Sequence, residues 1–395
     1  MTIKNIFAFH NFYIFLWLFY SLQSLLLGGR GNFISQFILL FLIIVSIYHA
    51  YYAFSHYKVP PFVRALLMLI LMFTIYGFIL ILSGKKIRYM SSGVLVRNYT
   101  YLKSIYISLL PFFSFYVFTV KQKLNISVLR NWTFVFFATV ALLFFKNQQD
   151  QMTAVMEGDF EFTNNFGYEF LALIPLLALW SNKRIVQYMG LAIVLFFLLY
   201  GMKRGAILIG ALCILLFMYR TIMTASVGKK KWLIFLSVII ILIGLYYVTD
   251  LINNSDYFNR RIEQTLEGNT SGRDRLFSVF LDYFLSKNSD IGFFLGNGAN
   301  ATLTISSNYA HNDWLEIAIN QGVLGLFVYL LYWISSFKLW KNCTYSKDIR
   351  LSLELILVIC FLKSLFSMSY NDISLYMSIC LGFCVGNQTL VTQKY

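Results

Sequence analysis

Stretches of about 20 residues with hardly a charge recur along this chain from end to end, and nothing else narrows its fold as much. In a lipid interior every backbone N–H and C=O must be satisfied within the spanning structure, so runs of that length fold as membrane-crossing helices. Hydropathy places about twelve spans, at residues 6–27, 33–54, 62–82, 99–120, 128–145, 166–181, 185–201, 205–224, 231–249, 313–337, 351–370 and 372–390. The expected fold is all-α, a polytopic transmembrane helical bundle. Residues 1–395 form a single integral membrane domain, with one large outer loop, residues 250–312, between the ninth and tenth spans. Composition agrees, since 59% of the chain is hydrophobic and 12% charged, where a soluble domain carries roughly 25% charged residues. No cleavable signal precedes the first run, which is expected to stay as an anchor.

With twelve spans both ends lie on one side, and the distribution of Lys and Arg selects it. One set of loops and ends includes Lys229, Lys230, Lys231, Lys338, Lys341, Lys347 and Arg350, with only Asp348 and Glu354 as acidic company. The whole net charge of +15 resides on that side, which is therefore expected to be cytoplasmic. In a soluble chain such basicity would suggest nucleic acid; here it reads as topology, and no nucleic-acid partner is expected. The opposite side carries loop 146–165, acidic through Asp150, Glu157, Asp159 and Glu161, and the long loop 250–312. The acidic spacing matches no cation cage, and neither a metal site nor a cofactor is expected. Cys213, Cys343, Cys360, Cys380 and Cys384 are odd in number and mostly lie in apolar runs, so they read as small buried hydrophobes. His10, His49 and His56 lie in or beside apolar runs without a ligand pattern and read as structural.

His311 is different. It opens a polar-to-apolar boundary, His311-Asn312-Asp313-Trp314-Leu315-Glu316, that runs through Gly322-Val323-Leu324-Gly325 into a long apolar stretch. An imidazole with carboxylates beside it, at the mouth of a membrane helix, suits proton transfer at a membrane surface. The loop leading to it carries Arg260, Arg261, Arg273, Arg275 and Lys287, then the turn Gly296-Asn297-Gly298. Within that loop Leu276, Phe277, Phe280, Tyr283 and Phe284 form a helical stripe, expected to pack on the bundle or in the outer interface. A second outer cationic point is Lys203-Arg204, between Gly201 and Gly205. Either its side chains snorkel at a helix end, or a guanidinium fork there holds a phosphate.

In order, Asn164-Asn165-Phe166-Gly167 ahead of Pro175, Lys203-Arg204-Gly205, Ser271-Gly272-Arg273, and His311-Asn312-x-x-Leu315 with Gly322-x-x-Gly325 resemble the motifs of the O-antigen ligase and O-antigen polymerase superfamily. The similarity covers about residues 160–380. Lys203 stands where the family usually has Ser, and Phe277 where Trp is common.

The resemblance implies a bacterial inner-membrane glycosyltransferase with a glycosyltransferase-C-like fold and its active site on the outer face. It would move glycan from an undecaprenyl-pyrophosphate-linked donor to a glycan or lipid-linked acceptor, in contact with membrane lipid and with a chain-length regulator as a further partner. Read this way, His311 is the general base for the acceptor hydroxyl. Arg204 and Arg273 stabilise the charge growing on the pyrophosphate, supported by Lys203, Arg260, Arg261 and Arg275. Asp313 or Glu316 would orient the imidazole or charge the helix N-terminus. Asn312 is a sugar ligand or a helix cap, and Trp314 a stacking platform or interfacial anchor. Repeat-unit polymerisation is the leading expectation, with transfer of finished polymer to a lipid A core as the alternative. A transporter would place ionisable residues at mid-depth in several spans, whereas here only Lys103, Lys363 and Glu169 approach it.

Overall fold

The computed structural model describes residues 8–26, 31–88, 95–156, 164–254, 259, 263, 272–287, 289–343, 346–370 and 373–392. Its helices include α1 (Phe9–Ser21), followed by the single turn Gln23–Leu26, then α2 (Phe33–His56), α3 (Pro61–Ser83), α4 (Tyr99–Leu109), α5 (Pro111–Val120), α6 (Ile126–Met156), α7 (Gly167–Leu171), α8 (Ile174–Ala178), α9 (Arg184–Tyr200), α10 (Arg204–Thr224) and α11 (Val227–Asn254). Three short helices follow, α12 (Arg273–Asp282), α13 (Asp290–Leu295) and α14 (Ala301–Ile305), before α15 (Asp313–Lys341), α16 (Lys347–Phe366) and α17 (Leu375–Thr392). The one departure from an all-α reading among the described residues is a two-stranded antiparallel ribbon, Ile87–Arg88 against Leu95–Val96.

Among the described residues each run expected to span falls largely on one helix or on two successive helices. Seven of these stretches are long and apolar enough to cross a membrane: α2, α3, α4 with α5, α6, α10, α11 and α15. The chain is thus a polytopic helical membrane protein. Its outward faces are apolar, as lipid requires; on α11, Leu242, Leu245 and Tyr246 are all exposed.

Three spans differ from the simple expectation, each for a visible reason. Residues 166–181 are not one helix: α7 and α8 are separated by a turn ahead of Pro175. Gly167–Ala178 is 12 residues of apolar helix, about 18 Å, too short to cross a core of about 30 Å. Residues 313–337 are interrupted at Gly322, where φ 67° and ψ −162° are not helical. Its first half, residues 313–321, is largely buried; the second, residues 323–341, is about 28 Å long and sufficient to span alone. The expected break near residue 371 is wider than a single residue, because α16 ends at Phe366 and α17 starts only at Leu375.

The core is built on α5, whose ten residues are all buried. Helix α17 lies directly against it. A Cβ at Gly382 would sit 2.9 Å from the amide nitrogen of Tyr116, and one at Gly386 would sit 2.6 Å from Cβ of Thr119. Two small residues four apart let helix backbones approach closely where lipid supplies no hydrophobic drive. All five cysteines are buried, including Cys343 in its short loop.

Candidate active site at one end of the bundle

The ends of α9, α10, α15 and α16 meet at the end of the bundle where His311 lies, and local hydrogen bonds explain how. Asn164 is fully buried. Its side-chain amide donates to the carbonyl of Phe144 (3.0 Å) and to Gln148 (3.0 Å), and its oxygen accepts from Asn147 (2.8 Å) and from the Phe166 amide (3.0 Å). Its own backbone N–H donates to Gly201 O at 2.9 Å. The Asn164-Gly167 motif thereby clips the end of α6 to the turn before α10. That turn holds Met202 at φ 50° and points Lys203 and Arg204, both half-buried, from the N-terminus of α10. A Cβ at Gly205 would come 2.3 Å from the Tyr168 hydroxyl, so glycine there lets α7 close on the turn.

The other half of the site hangs on α15 and the end of α16. Asn312 caps α15, accepting from the Leu315 amide at 3.0 Å, and its side-chain amide donates to Leu365 O at 3.1 Å. Arg273, the first residue of α12, donates to Phe366 O at 2.5 Å. His311 sits between them in the left-handed region, φ 52°, an uncommon conformation for a non-glycine residue. Burial lowers its pKa below the usual imidazole value, and the positive charges of Arg273 and Lys203 lower it further. The structure therefore brings together an imidazole and cations from two stretches some seventy residues apart in sequence (residues 203 and 273). At neutral pH that imidazole is unprotonated and able to accept a proton.

Other expected site residues fall elsewhere. Asp313 and Glu316 are fully buried and spend their oxygens away from the imidazole. Asp313 accepts from the amides of Ser369 (2.8 Å) and Tyr370 (3.2 Å) and from the Tyr329 hydroxyl (2.8 Å). Glu316 accepts from Thr302 (2.6 Å), the Ala310 amide (2.8 Å) and Asn320 (2.9 Å). Both are thus corrected from substrate or imidazole partners to braces, Glu316 fixing α14 and Ala310 and Asp313 fixing Ser369 and Tyr370 around His311. Trp314 packs edge-on to Tyr329, ring centres 4.9 Å apart, with its indole N–H buried and unpaired. Arg275 is exposed. Arg260 and Arg261 lie outside the described residues, as do Ser271 and the acidic Glu157, Asp159 and Glu161. The expected stripe packs inward through Phe280 of α12 and Phe284 of the π-helical turn that follows it (Tyr283–Lys287) onto Leu315, Ala318 and Ile319, whereas Phe277 is exposed.

Gly296-Asn297-Gly298 has a role that its sequence did not reveal. Breaking α15 at Gly322 frees carbonyls of the preceding turn. Asn297 N–H donates to Ile319 O at 2.9 Å and Gly298 N–H to Asn320 O at 3.0 Å. The glycine turn completes the broken helix.

Sequence reasoning placed Lys363 inside a span but gave neither it nor the residues that follow it a part in the site. Lys363 is 7% exposed, with its ammonium 5.1 Å above the Tyr168 ring and its charge within reach of Asp313. A lysine inside an apolar helix was the available signal. Among the described residues no three His, Cys, Asp or Glu side chains cluster in the way a metal would require. Of the other histidines, His49 contacts the Ser114 hydroxyl at 3.0 Å and His56 the Tyr52 carbonyl at 3.1 Å.

Fold and site together define a multi-pass helical membrane protein with one partly buried imidazole set among cations at a helix-end rim. The family model described as O-antigen ligase matches residues 170–330, and this supports the O-antigen ligase and polymerase superfamily that the motifs resemble. Members of that family are membrane enzymes acting on polysaccharide. The matched stretch runs from α7 into the second half of α15 and so contains Arg204, Arg273 and His311. No curated protein matches the chain.

Proposed function

We propose that the protein is a glycosyltransferase that polymerises undecaprenyl-pyrophosphate-linked oligosaccharide repeat units into a surface polysaccharide such as O-antigen or capsule. The observation that carries this reading is the meeting of His311 with Arg273 and Lys203, beside Arg204. The acceptor sugar hydroxyl loses its proton to the His311 imidazole as its oxygen bonds to the anomeric carbon of the donor. The bond from that carbon to the pyrophosphate oxygen breaks, and the electron pair leaves with the pyrophosphate. Negative charge grows on the leaving group, and fixed guanidinium and ammonium groups stabilise it more in the transition state than in the ground state. Arg273 and Arg204 are the main anion ligands and Lys203 a third.

In this reading the twelve helical segments all lie within the membrane layer of a glycosyltransferase-C-like bundle in the bacterial inner membrane. Both termini are cytoplasmic, and the His311 end faces outward. Charge distribution supports that orientation. Arg130, Lys183, Arg184, Arg220, Lys347 and Arg350 lie at helix ends opposite His311, where Arg220 pairs with Glu354 at 2.5 Å. The partners are the lipid-linked donor, a glycan acceptor, membrane lipid and a chain-length regulator.

The test is His311→Ala in a strain lacking the native copy, with membrane level of the protein checked by blotting. Glycan ladders should disappear; normal ladders would refute the base assignment. The family description favours a second reading, in which finished polymer passes to a lipid A core. The two differ in what accumulates. Loss of a polymerase leaves single repeat units on the final acceptor, whereas loss of a ligase leaves long polymer on the lipid carrier.

A further inference from the structure

Helix α13 lies within residues 250–312, the stretch that hydropathy leaves outside the membrane, yet its outward face is apolar and bare. Ile291 is 74% exposed, Phe294 60% and Leu295 49%. The polar residues Ser289 and Asp290 stand together at its N-terminus. Two contacts fix how deep that face sits. The Tyr76 hydroxyl of α3 donates to the Leu295 carbonyl, and the Gly322 break in α15 lies against the main chain of Phe294 and Gly296.

Each contact marks a depth. Helix α3 has 23 residues, about 34 Å of helix against a hydrocarbon core of about 30 Å. Tyr76 precedes its last residue, Ser83, by seven positions, which puts it about 10 Å along the axis below that end. Helical side chains lean towards the N-terminus, so the hydroxyl reaches no higher. Along α15, residues 323–337 run from the break to the last apolar residue before Lys338, about 22 Å. The break therefore stops about 8 Å short of the far side of the core. Helix α13, with six residues and about 9 Å of length, is long enough to descend from headgroup level to the depth on which both marks agree.

Main chain can sit that deep only where its polar groups are answered. Ser289 caps the Gly292 amide at 3.0 Å, and the Gly296 amide donates to Gly292 O at 2.8 Å. Tyr76 holds the Leu295 carbonyl, and carbonyls of α15 hold the Asn297 and Gly298 amides. The residues flanking these contacts, Ile75 and Ile79 on α3 and Leu324 on α15, are exposed and apolar as well, so the face of α13 joins a surface that spanning helices already give to lipid.

We propose that residues 289–298 form a re-entrant turn sunk into the leaflet at the His311 end, with Ile291, Phe294 and Leu295 against lipid acyl chains. Acyl chains are the occupant because the face is apolar, lies at their depth and is continuous with the lipid-facing sides of α3 and α15. The same turn closes the Gly322 break, and the part of α15 beyond that break begins at Asp313, two residues from His311. The bilayer thus helps to set the height of the imidazole.

The experiment reconstitutes the full chain, unaltered, in nanodiscs of phosphatidylethanolamine and phosphatidylglycerol that include a phospholipid with a diazirine in its acyl chain. After irradiation, adducts mapped by mass spectrometry should fall on residues 291–295 as well as on residues 75–79 of α3. Adducts on α3 with none on α13 overturn the proposal. A second measurement places a nitroxide at Asp290→Cys or Phe294→Cys, with the signal of identically treated wild type subtracted because its own thiols are buried. Position 294 should be open to oxygen, shielded from a water-soluble nickel chelate, and deeper than position 290 by about 6 Å, four residues of helix. Equal access of the chelate to both positions puts the face in water. Shielding of position 294 from oxygen and chelate alike puts a protein partner or a second copy of the chain over it. Either result overturns the proposal, and because neither measurement reads turnover, both stand apart from the glycosyl-transfer reading.

Discussion

A methyl group at position 322 would be placed against main chain that cannot step aside. Built on the observed backbone, the Cβ of Gly322→Ala lies 2.5 Å from the amide nitrogen of Gly296 and 2.6 Å from the carbonyl carbon and oxygen of Phe294. The backbone there, φ 67° and ψ −162°, lies in a region nearly reserved for glycine, at a cost of about 1–3 kcal/mol for an L side chain. Relieving the clash means moving residues 294–298 away from α15. That would break the bonds from Asn297 N–H and Gly298 N–H to the carbonyls of Ile319 and Asn320, each worth about 1 kcal/mol net and more where the freed carbonyl stays buried. The total is about 3–5 kcal/mol. Gly298→Ala is the control, because its φ is also positive at 99° but nothing lies within 4 Å of its Cβ, leaving only the backbone cost of about 1–3 kcal/mol. At roughly 2 °C per kcal/mol, thermal unfolding in detergent should place Gly322→Ala on the order of 4 °C below Gly298→Ala. Equal melting temperatures would show that the glycine turn does not complete the broken helix.

Arg204→Lys keeps the charge but loses the two-pronged donor geometry, so elongation in vitro should fall about tenfold or more; full activity would mean that Arg204 only snorkels. Asp313→Ala leaves the Ser369 and Tyr370 amides and the Tyr329 hydroxyl without their acceptor. It should cost about 3–5 kcal/mol, as losing one partner of a buried charged network does, and proteolysis should then cut between α16 and α17; wild-type resistance would refute the brace. Burial and the charges of Arg273 and Lys203 lower the His311 pKa from the usual imidazole value, so the rate should hold through neutral pH and fall on the acid side as the imidazole protonates. Lys203→Ser removes one of the cations that depress it and should move that fall to higher pH, and an unshifted acid limb would refute the coupling.

The apolar runs were legible because lipid permits one solution for a chain of that composition, and each run did become helix. Pro111 and Pro175 mark two of the breaks, since each stands in the first turn of a new helix, where its missing N–H leaves no bond unmade. The break at Gly322 was hidden because it depends on a partner turn some twenty-five residues earlier, and a glycine alone does not say which amides will meet the carbonyls it frees. Gly382 and Gly386 were a readable small-residue spacing, passed over inside a continuous apolar stretch. At the site, His311, Arg273 and the Lys203-Arg204 turn stood out as polar chemistry at apolar boundaries. Asp313 and Glu316 looked the same in sequence, and only burial separates a carboxylate facing a substrate from one tied to amides. The segment after Lys363 was invisible for a deeper reason. It serves the site through the carbonyls of Leu365 and Phe366 and the amides of Ser369 and Tyr370, groups that every residue but proline possesses. A site assembled on main-chain atoms leaves little trace in side-chain identity, so its scaffold must be read from coordinates even when its reactive groups can be read from sequence.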